Sequence, residues 1–355
     1  MAYTNSLMLK GNEAVVHGAL IAGCDCYFGY PITPASEVAH SAAKLFPLLR
    51  RTFLQAESEI GAINMVMGAA AAGKRAMTAS SGLGISLKQE GVSYIAALEL
   101  PVLIVDITRG GPGLGNIGPE QADYFQLTKG GGHGSYRCLV LTPNSVQEMC
   151  DMARTAFDLA EKYRIPAYIM ADGVIGQMME SVRLPEPEER PYDPEWTMGK
   201  VVDGKANIIT SIFLEHDDLE EVNRKLQRKY QEITAKEQRS EELYTDDAEL
   251  VIVAYGICSR VAAGAIEQLR KEGLKVGMLR PQLVWPFPSD ALMKLASNGK
   301  CRGFLSVELS AGQMIEDVRL AIECKKPVRL YNRMGGNVPS CDEVVAAVKK
   351  VLKEI

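Results

Sequence analysis

Three polar residues stand shortly after apolar runs, where they could act together on an anionic substrate. Thr33, Glu59 and Arg109 follow the runs CDCYFG, RTFLQA and PVLIVDIT, respectively. A hydroxyl, a carboxylate and a guanidinium offer a neutral hydrogen-bonding group, an acceptor that can share a proton, and a forked cation. Taken singly, they are typical of a helix cap, a first-turn acid and a surface ion pair. Together they indicate a site for an anion beside a group that needs a carboxylate.

The elements that must position these residues alternate between strand and helix. Strand-like segments lie at 24–29, 51–56 and 101–107, and an alanine-rich helix is predicted from about 58 to 73. Apolar strands that alternate with helices form a parallel sheet covered on both faces. The ligand crevice of such a sheet lies at the carboxyl ends of its strands. We therefore expect the three polar residues to lie along one edge.

The alternation divides the chain into two doubly wound α/β domains. Residues 1–183 form the first domain. Residues 184–246 comprise a proline- and acid-rich linker, LPEPEERPYDPEW, and a long charged helix. Residues 247–355 form a second, smaller domain. The apolar residues of the long helix recur at three- and four-residue steps, which predicts a narrow stripe that lies on its own domain or on a partner.

Composition excludes several classes of function. The 355 residues carry a net charge of -5, which disfavours a nucleic-acid surface. No apolar run approaches the roughly 20 residues that span a bilayer, and the amino terminus shows no export signal. Eight cysteines are dispersed without a C-x-x-C pair. We therefore expect free thiols in a reducing cytoplasm, with no metal site or cluster on this chain.

Glycine-rich stretches match nucleotide-binding loops only in part. GAAAAGKR (68–75) follows a helix and lacks a hydroxyl residue after its lysine, so we interpret it as a helix that packs closely on the sheet. GLGNIG (113–118) matches GxGxxG. A dinucleotide-binding loop directly follows the first strand and opens a helix, whereas this segment comes several residues after a later strand and precedes a proline. We interpret it as a loop that passes close to another group. His133, in KGGGHG, is either a contact residue or structural.

Four motifs together resemble the 2-oxoacid:ferredoxin oxidoreductases. They are YPITPxSE, QAESExxAINMVxGAAAAG, TRGGPGLGNI and KGGGHG, and the resemblance covers nearly all of residues 7–180. It is to the α-type chain, which carries the pyrimidine-binding domain for thiamine diphosphate, and within the family it is greatest to the branched-chain type that acts on 2-ketoisovalerate. The carboxyl-terminal domain is similar to the transketolase C-terminal-type domain of the same chains.

The resemblance implies a role for each residue near the cofactor. Glu59 is the implied catalytic residue: it bonds the aminopyrimidine ring and favours the imino tautomer that generates the ylid. Acid–base assistance of this kind contributes about 10²–10⁴-fold. Glu57 is the competing candidate, although the spacing SExxA favours Glu59. Tyr30 and Pro31 are implied to contribute to cofactor binding.

Thr33 and Arg109 are implied to bind the 2-oxoacid. Thr33 would touch the substrate, while the guanidinium of Arg109 would clamp its carboxylate through forked donors. Pro31 and Pro34 flank Thr33 and restrict the backbone on either side of it. We therefore expect the hydroxyl to be held in one orientation, as a substrate contact requires.

The resemblance also implies partner chains. A GDG motif with a distant asparagine pair is missing, which places Mg²⁺ and the cofactor diphosphate on a β chain. Iron–sulfur clusters would lie on that chain or on a γ or small ferredoxin-like chain. The assembled enzyme would convert a 2-oxoacid, coenzyme A and oxidised ferredoxin into acyl-CoA, carbon dioxide and reduced ferredoxin.

Other interpretations stay open at this point. The same chemistry could act on 2-oxoglutarate or pyruvate, because these acids share the carboxylate and keto group that the site would bind. A non-enzymatic assembly scaffold with a decayed site is a second hypothesis. A nucleotide-binding electron-transfer module, which would carry flavin, is a third.

Overall fold

The computed structural model describes residues 6–187 and 194–355, which form alternating strands and helices. The strands are β1 (Ser6–Lys10), β2 (Cys26–Gly29), β3 (Thr52–Gln55), β4 (Ala76–Ser80), β5 (Val102–Thr108), β6 (Leu139–Leu141), β7 (Pro166–Asp172), β8 (Met179–Arg183), β9 (Val201–Val202), β10 (Lys205–Ala206), β11 (Ser240–Leu243), β12 (Leu250–Val253), β13 (Val276–Pro281), β14 (Leu283–Trp285), β15 (Gly303–Glu308) and β16 (Val328–Asn332). The helices are α1 (Gly11–Ile21), α2 (Ser36–Leu48), α3 (Glu59–Ala71), α4 (Leu83–Ala97), α5 (Val146–Tyr163), α6 (Gly173–Gln177), α7 (His216–Lys236), α8 (Gly256–Lys271), α9 (Ser289–Ser297), α10 (Met314–Ala321) and α11 (Cys341–Glu354). The predicted α/β class is confirmed.

The first sheet has seven strands in the order β14-β6-β7-β5-β4-β2-β3. Its strands run parallel except β14, which pairs antiparallel with β6. The central strands β5 and β7 are buried at every residue, as expected for a sheet covered on both faces. Helices α1, α2 and α5 cover one face, and α3 and α4 cover the other.

The second sheet has five strands in the order β11-β13-β12-β15-β16. Helices α8 and α11 cover one of its faces. Its other face joins the same apolar core that lies under α3 and α4. Two strands cross the division expected from the sequence, since β11 belongs to the second sheet and β14 to the first. The boundaries at residues 183 and 247 stay predictions.

The long charged helix α7 packs on the chain's own core over its second half. Leu226, Tyr230 and Ile233 are buried, and the ring of Tyr230 meets Trp285 edge-on, with the ring centroids 5.8 Å apart. Near its first turn, Leu219 is 44% exposed. The packing on its own domain is therefore confirmed for the second half of the helix. No helix of the described residues is long and apolar enough to cross a bilayer.

Candidate active site

Arg109 and Thr33 lie together at the carboxyl edge of the first sheet. Arg109 follows β5, and its Nη1 donates a hydrogen bond to the carbonyl oxygen of Thr33 at 2.8 Å. Its Nη2 lies 3.4 Å from the carbonyl oxygen of Leu114. Tyr30 and Pro31 are exposed on the turn that carries Thr33. Two residues far apart in the chain therefore form one group at this edge.

The turn that carries Thr33 is held by hydrogen bonds from two helices. The carbonyl oxygen of Pro34 accepts from Asn12 Nδ2 at 2.7 Å and from Gln177 Nε2 at 3.0 Å. Oε2 of Glu37 accepts from the same two amides, and its Oε1 pairs with Lys10 at 3.1 Å. These contacts fix the turn, so the position of Thr33 does not depend on its prolines alone. The spacing of the sequence motifs does not reveal this support, because α1 and α6 are distant from each other in the chain.

Glu59 is the first residue of α3 and is buried, with 6% of its surface exposed. Its side chain lies against the start of α4, where a Cβ atom at Gly84 would stand 2.6 Å from Oε1 of Glu59 and closer still to Oγ of Ser80. Glycine at position 84 therefore makes room for both groups. Oγ of Ser80 is buried and has no hydrogen-bond partner within the described residues. The competing acid, Glu57, is exposed.

The loop between β4 and α4 separates Glu59 from Arg109. At one side of this loop, Gly82 packs against the Arg109 side chain, since a Cβ atom there would lie 3.5 Å from Cγ and Nε of Arg109. Just beyond the loop, in the first turn of α4, Gly84 contacts Glu59. Gly82 has a φ of +49°, a left-handed conformation that favours glycine. The loop thus places the carboxylate and the guanidinium on either side of one short segment.

A cleft of about 460 Å³ opens next to Arg109. Its floor is the glycine-rich loop that follows β5, and its far wall comes from the second sheet's loops, including Gln313 and Met334. Glu120 ties these walls together, because its carboxylate accepts from the amides of Gly111 at 2.7 Å and Gly335 at 3.0 Å. The glycine-rich loop therefore passes close to the second half of the chain, as its composition predicted.

Two carboxyl groups face each other under this cleft. Asp106, near the end of β5, is fully buried, and Asp123 lines the cleft. Burial and the negative charge of Asp123 raise the pKa of Asp106 well above its usual range, while burial raises the pKa of Asp123 to about 6. Two interacting buried carboxyl groups cannot both ionise cheaply, so the pair holds a proton near neutral pH. The sequence did not predict the Asp106–Asp123 pair, because Asp106 lies inside an apolar strand.

Other sequence features contribute less to this edge. His133 is exposed, and its carbonyl oxygen accepts a hydrogen bond from Oγ of Ser93 at 2.5 Å. GAAAAGKR forms the end of α3 and the turn into β4. Six of the eight cysteines are buried free thiols. Within the described residues, no group of three or more His, Cys, Asp or Glu side chains could hold a metal ion.

The fold is similar to that of solved structures of two enzymes. The fold matches that of a split-gene transketolase in its inactive β4 tetramer, with a TM-score of 0.61 and 16% identity, over 98% of this chain and 99% of that one. It is also similar to a 2-oxoglutarate:ferredoxin oxidoreductase from Magnetococcus marinus, with a TM-score of 0.87 and 28% identity. That match covers 97% of this chain, which spans 65% of the length of the solved chain.

Family comparisons carry the assignment further. Residues 17–242 match the thiamine diphosphate-binding domain of pyruvate flavodoxin/ferredoxin oxidoreductases, and residues 248–344 match core domain II of pyruvate:ferredoxin oxidoreductase. The chain is 58% identical to ketoisovalerate oxidoreductase subunit VorB of Methanothermobacter thermautotrophicus over 97% of each chain. It is 36% identical to 2-oxoglutarate synthase subunit KorA of Methanocaldococcus jannaschii, over 96% of this chain and 98% of that one. The chain belongs to the 2-oxoacid:ferredoxin oxidoreductase family and is of the α type, as its motifs predicted.

Proposed function

We propose that this chain provides half of a shared active site that oxidatively decarboxylates 2-ketoisovalerate, with coenzyme A as acyl acceptor and ferredoxin as electron acceptor. The observation that carries the proposal is the placement of a buried carboxylate, Glu59, and a guanidinium, Arg109, on either side of one loop at the sheet edge. The carboxylate of Glu59 suits the nitrogen atoms of a heteroaromatic ring, and the guanidinium of Arg109 suits the carboxylate of a substrate. A decayed scaffold would have no need to keep the carboxylate buried.

The residues present fit thiamine diphosphate. The carboxylate of Glu59 makes no direct ion pair in the described part of the chain, and the buried hydroxyl of Ser80 beside it has no hydrogen-bond partner there. Buried polar groups of this kind normally have a partner, which the nitrogen atoms of an aminopyrimidine ring would supply. When bound, the cofactor stabilises the carbanion left by decarboxylation. Tyr30 and Pro31, exposed on the neighbouring turn, would line the cofactor.

A partner chain would complete this site. Large apolar side chains that follow β2 or lie in the first turns of α3 and α4 are 39–49% exposed, namely Tyr30, Ile60, Leu83 and Leu87. Exposed apolar groups that surround a polar site are typical of a protein interface. We assign the diphosphate and Mg²⁺ to a β chain, and the iron–sulfur clusters to that chain or to a γ or ferredoxin-like chain. The buried free thiols favour a cytoplasmic location.

The charges of the cleft favour a 2-oxoacid with an apolar side chain. Among the described residues that line it, Arg109 is the one cationic side chain, whereas Glu120 and Asp123 are acidic. Arg109 would be occupied by the substrate's 1-carboxylate. The second carboxylate of 2-oxoglutarate would then meet two acids without a cation from this chain. This argument agrees with the greater identity to the ketoisovalerate relative.

The substrate assignment is tested by comparing 2-ketoisovalerate, 2-oxoglutarate and pyruvate as substrates of the purified complex, with ferredoxin reduction as the readout. We expect kcat/KM for 2-ketoisovalerate to exceed that for 2-oxoglutarate by at least about tenfold, which corresponds to about 1.4 kcal/mol. A preference for 2-oxoglutarate would overturn the substrate while leaving the cofactor assignment in place. Absence of thiamine-dependent carbon dioxide release with all three acids would contradict the function itself.

A further inference from the structure

A lysine that makes no direct ion pair in the described part of the chain is buried next to Glu59. Lys88 lies on α4 with no exposed surface, and its Nζ donates a hydrogen bond to the main-chain oxygen of Glu59 at 3.3 Å. Within the described residues it makes no ion pair shorter than 4.0 Å. Fully buried lysines are rare unless they are paired, because desolvating an ammonium is costly. The position of this amine therefore calls for a function.

The charge of Lys88 depends on its surroundings. Burial lowers the pKa of Lys88 to about 8, and the negative charge of Glu59 offsets part of that effect. Glu59, on the neighbouring helix α3, is the charged group among the described residues that acts on the amine. The amine thus titrates near pH 8, and its protonation follows the charge of Glu59.

Binding of the pyrimidine ring would change that charge. A carboxylate that bonds a ring nitrogen shares one proton with it, so the bound ring and Glu59 together are neutral rather than negative. Lys88 would then be a buried ammonium without any compensating anion. The loss of the compensating negative charge, together with the exclusion of water by a partner chain, would lower the pKa of Lys88 further.

We infer that Lys88 is a positioning residue that balances the charge of Glu59, keeping its proton while Glu59 is ionised and releasing it when Glu59 shares a proton with the cofactor ring. This inference rests on the proposed function of Glu59. The balance is simple: one proton leaves Nζ for solvent, and one proton from solvent is held between the carboxylate and the ring. The net charge of the buried site is the same before and after the cofactor binds.

Proton uptake on cofactor binding tests this balance. Thiamine diphosphate with Mg²⁺ is titrated by calorimetry into the cofactor-free complex at pH 7, in buffers of different ionisation enthalpy. Methionine is similar in length to lysine and carries no charge. On cofactor binding, the Lys88→Met complex is expected to take up about 0.9 proton more than the wild-type complex, because a resting pKa of about 8 leaves the amine largely protonated at pH 7. Protons released or taken up by the diphosphate are the same for the wild-type and Lys88→Met complexes, so they cancel in the difference between the two.

The expected difference has a defined pH dependence. Below pH 8 the resting amine carries its proton and can release it, so the wild-type and Lys88→Met complexes differ. As the pH rises through about 8, the resting amine loses its proton before the cofactor arrives, so the difference decreases and disappears above about pH 9. Lys74→Met, the same substitution at an exposed position beyond the end of α3, is expected to behave as wild type.

Two outcomes separate the inference from the proposed function. Equal proton uptake by the wild-type and Lys88→Met complexes, with cofactor affinity still weakened by Glu59→Gln, would overturn the inference alone. Cofactor affinity and proton uptake that are unchanged in Glu59→Gln would overturn the assignment of Glu59, and the inference with it. If Lys88→Met does not assemble, Lys88→Gln, which retains a polar group, provides the same comparison.

Discussion

Glu59→Gln in the assembled complex is expected to lower 2-oxoacid-dependent ferredoxin reduction by about 10²–10⁴-fold. The amide keeps the size of the side chain but cannot share a proton with a ring nitrogen as a carboxylate does. The unfolding temperature is recorded as well, because the substitution also removes the negative charge that acts on the buried amine of Lys88. The measurement is the steady-state turnover with saturating thiamine diphosphate, alongside the unfolding temperature.

Glu57→Gln is the matched control for this prediction. Glu57 lies two positions away and is exposed, whereas Glu59 is buried against α4. We expect Glu57→Gln to retain the turnover of the wild-type complex. The reverse result, in which Glu57→Gln is inactive and Glu59→Gln is active, would transfer the catalytic role to Glu57.

Arg109→Ala is expected to raise KM for the 2-oxoacid by at least about 10²-fold. Hydrogen bonds to charged groups contribute about 1.5–3 kcal/mol each, and the guanidinium can offer two of them to a carboxylate. The substitution also removes the donor to the carbonyl oxygen of Thr33, so some loss of kcat is expected as well. Initial rates over a range of substrate concentrations, at saturating cofactor and coenzyme A, give both constants.

Arg109→Lys distinguishes charge from geometry in this prediction. Lysine keeps the positive charge but lacks the planar fork, so we expect KM to lie between those of the wild type and Arg109→Ala. A KM that is unchanged in both variants would show that the substrate carboxylate is bound elsewhere. Binding of thiamine diphosphate should be the same in all three complexes, which reports that the site has assembled.

The sequence was sufficient to predict the edge of the sheet and the residues that follow its strands. Apolar strands are strong local signals, and parallel topology brings their carboxyl ends together, so Arg109 and Thr33 were expected to meet, as they do. The turn from β4 into α4 was not recognised, although Gly82, just before α4, and Gly84, in its first turn, contact Arg109 and Glu59.

The residues that sequence reasoning missed depend on packing between distant segments. Lys88 occupies a position that is typical of a solvated helix face, and it is buried only because α4 lies against α3 and the sheet. Asp106 faces Asp123 across a loop of irregular structure. Strand β14 is three residues long and joins a sheet formed by a different part of the chain. Local periodicity carries no information about such contacts.

The central claim is that the cofactor site is divided between this chain and a partner. The most direct test is calorimetric titration of thiamine diphosphate with Mg²⁺ into this chain alone, the partner chains alone and the assembled complex. We expect tight binding to the complex, much weaker binding to either part, and a loss of affinity in the complex that carries Glu59→Gln. Equally tight binding to the partner chains alone, unaffected by Glu59→Gln in the complex, would contradict the account.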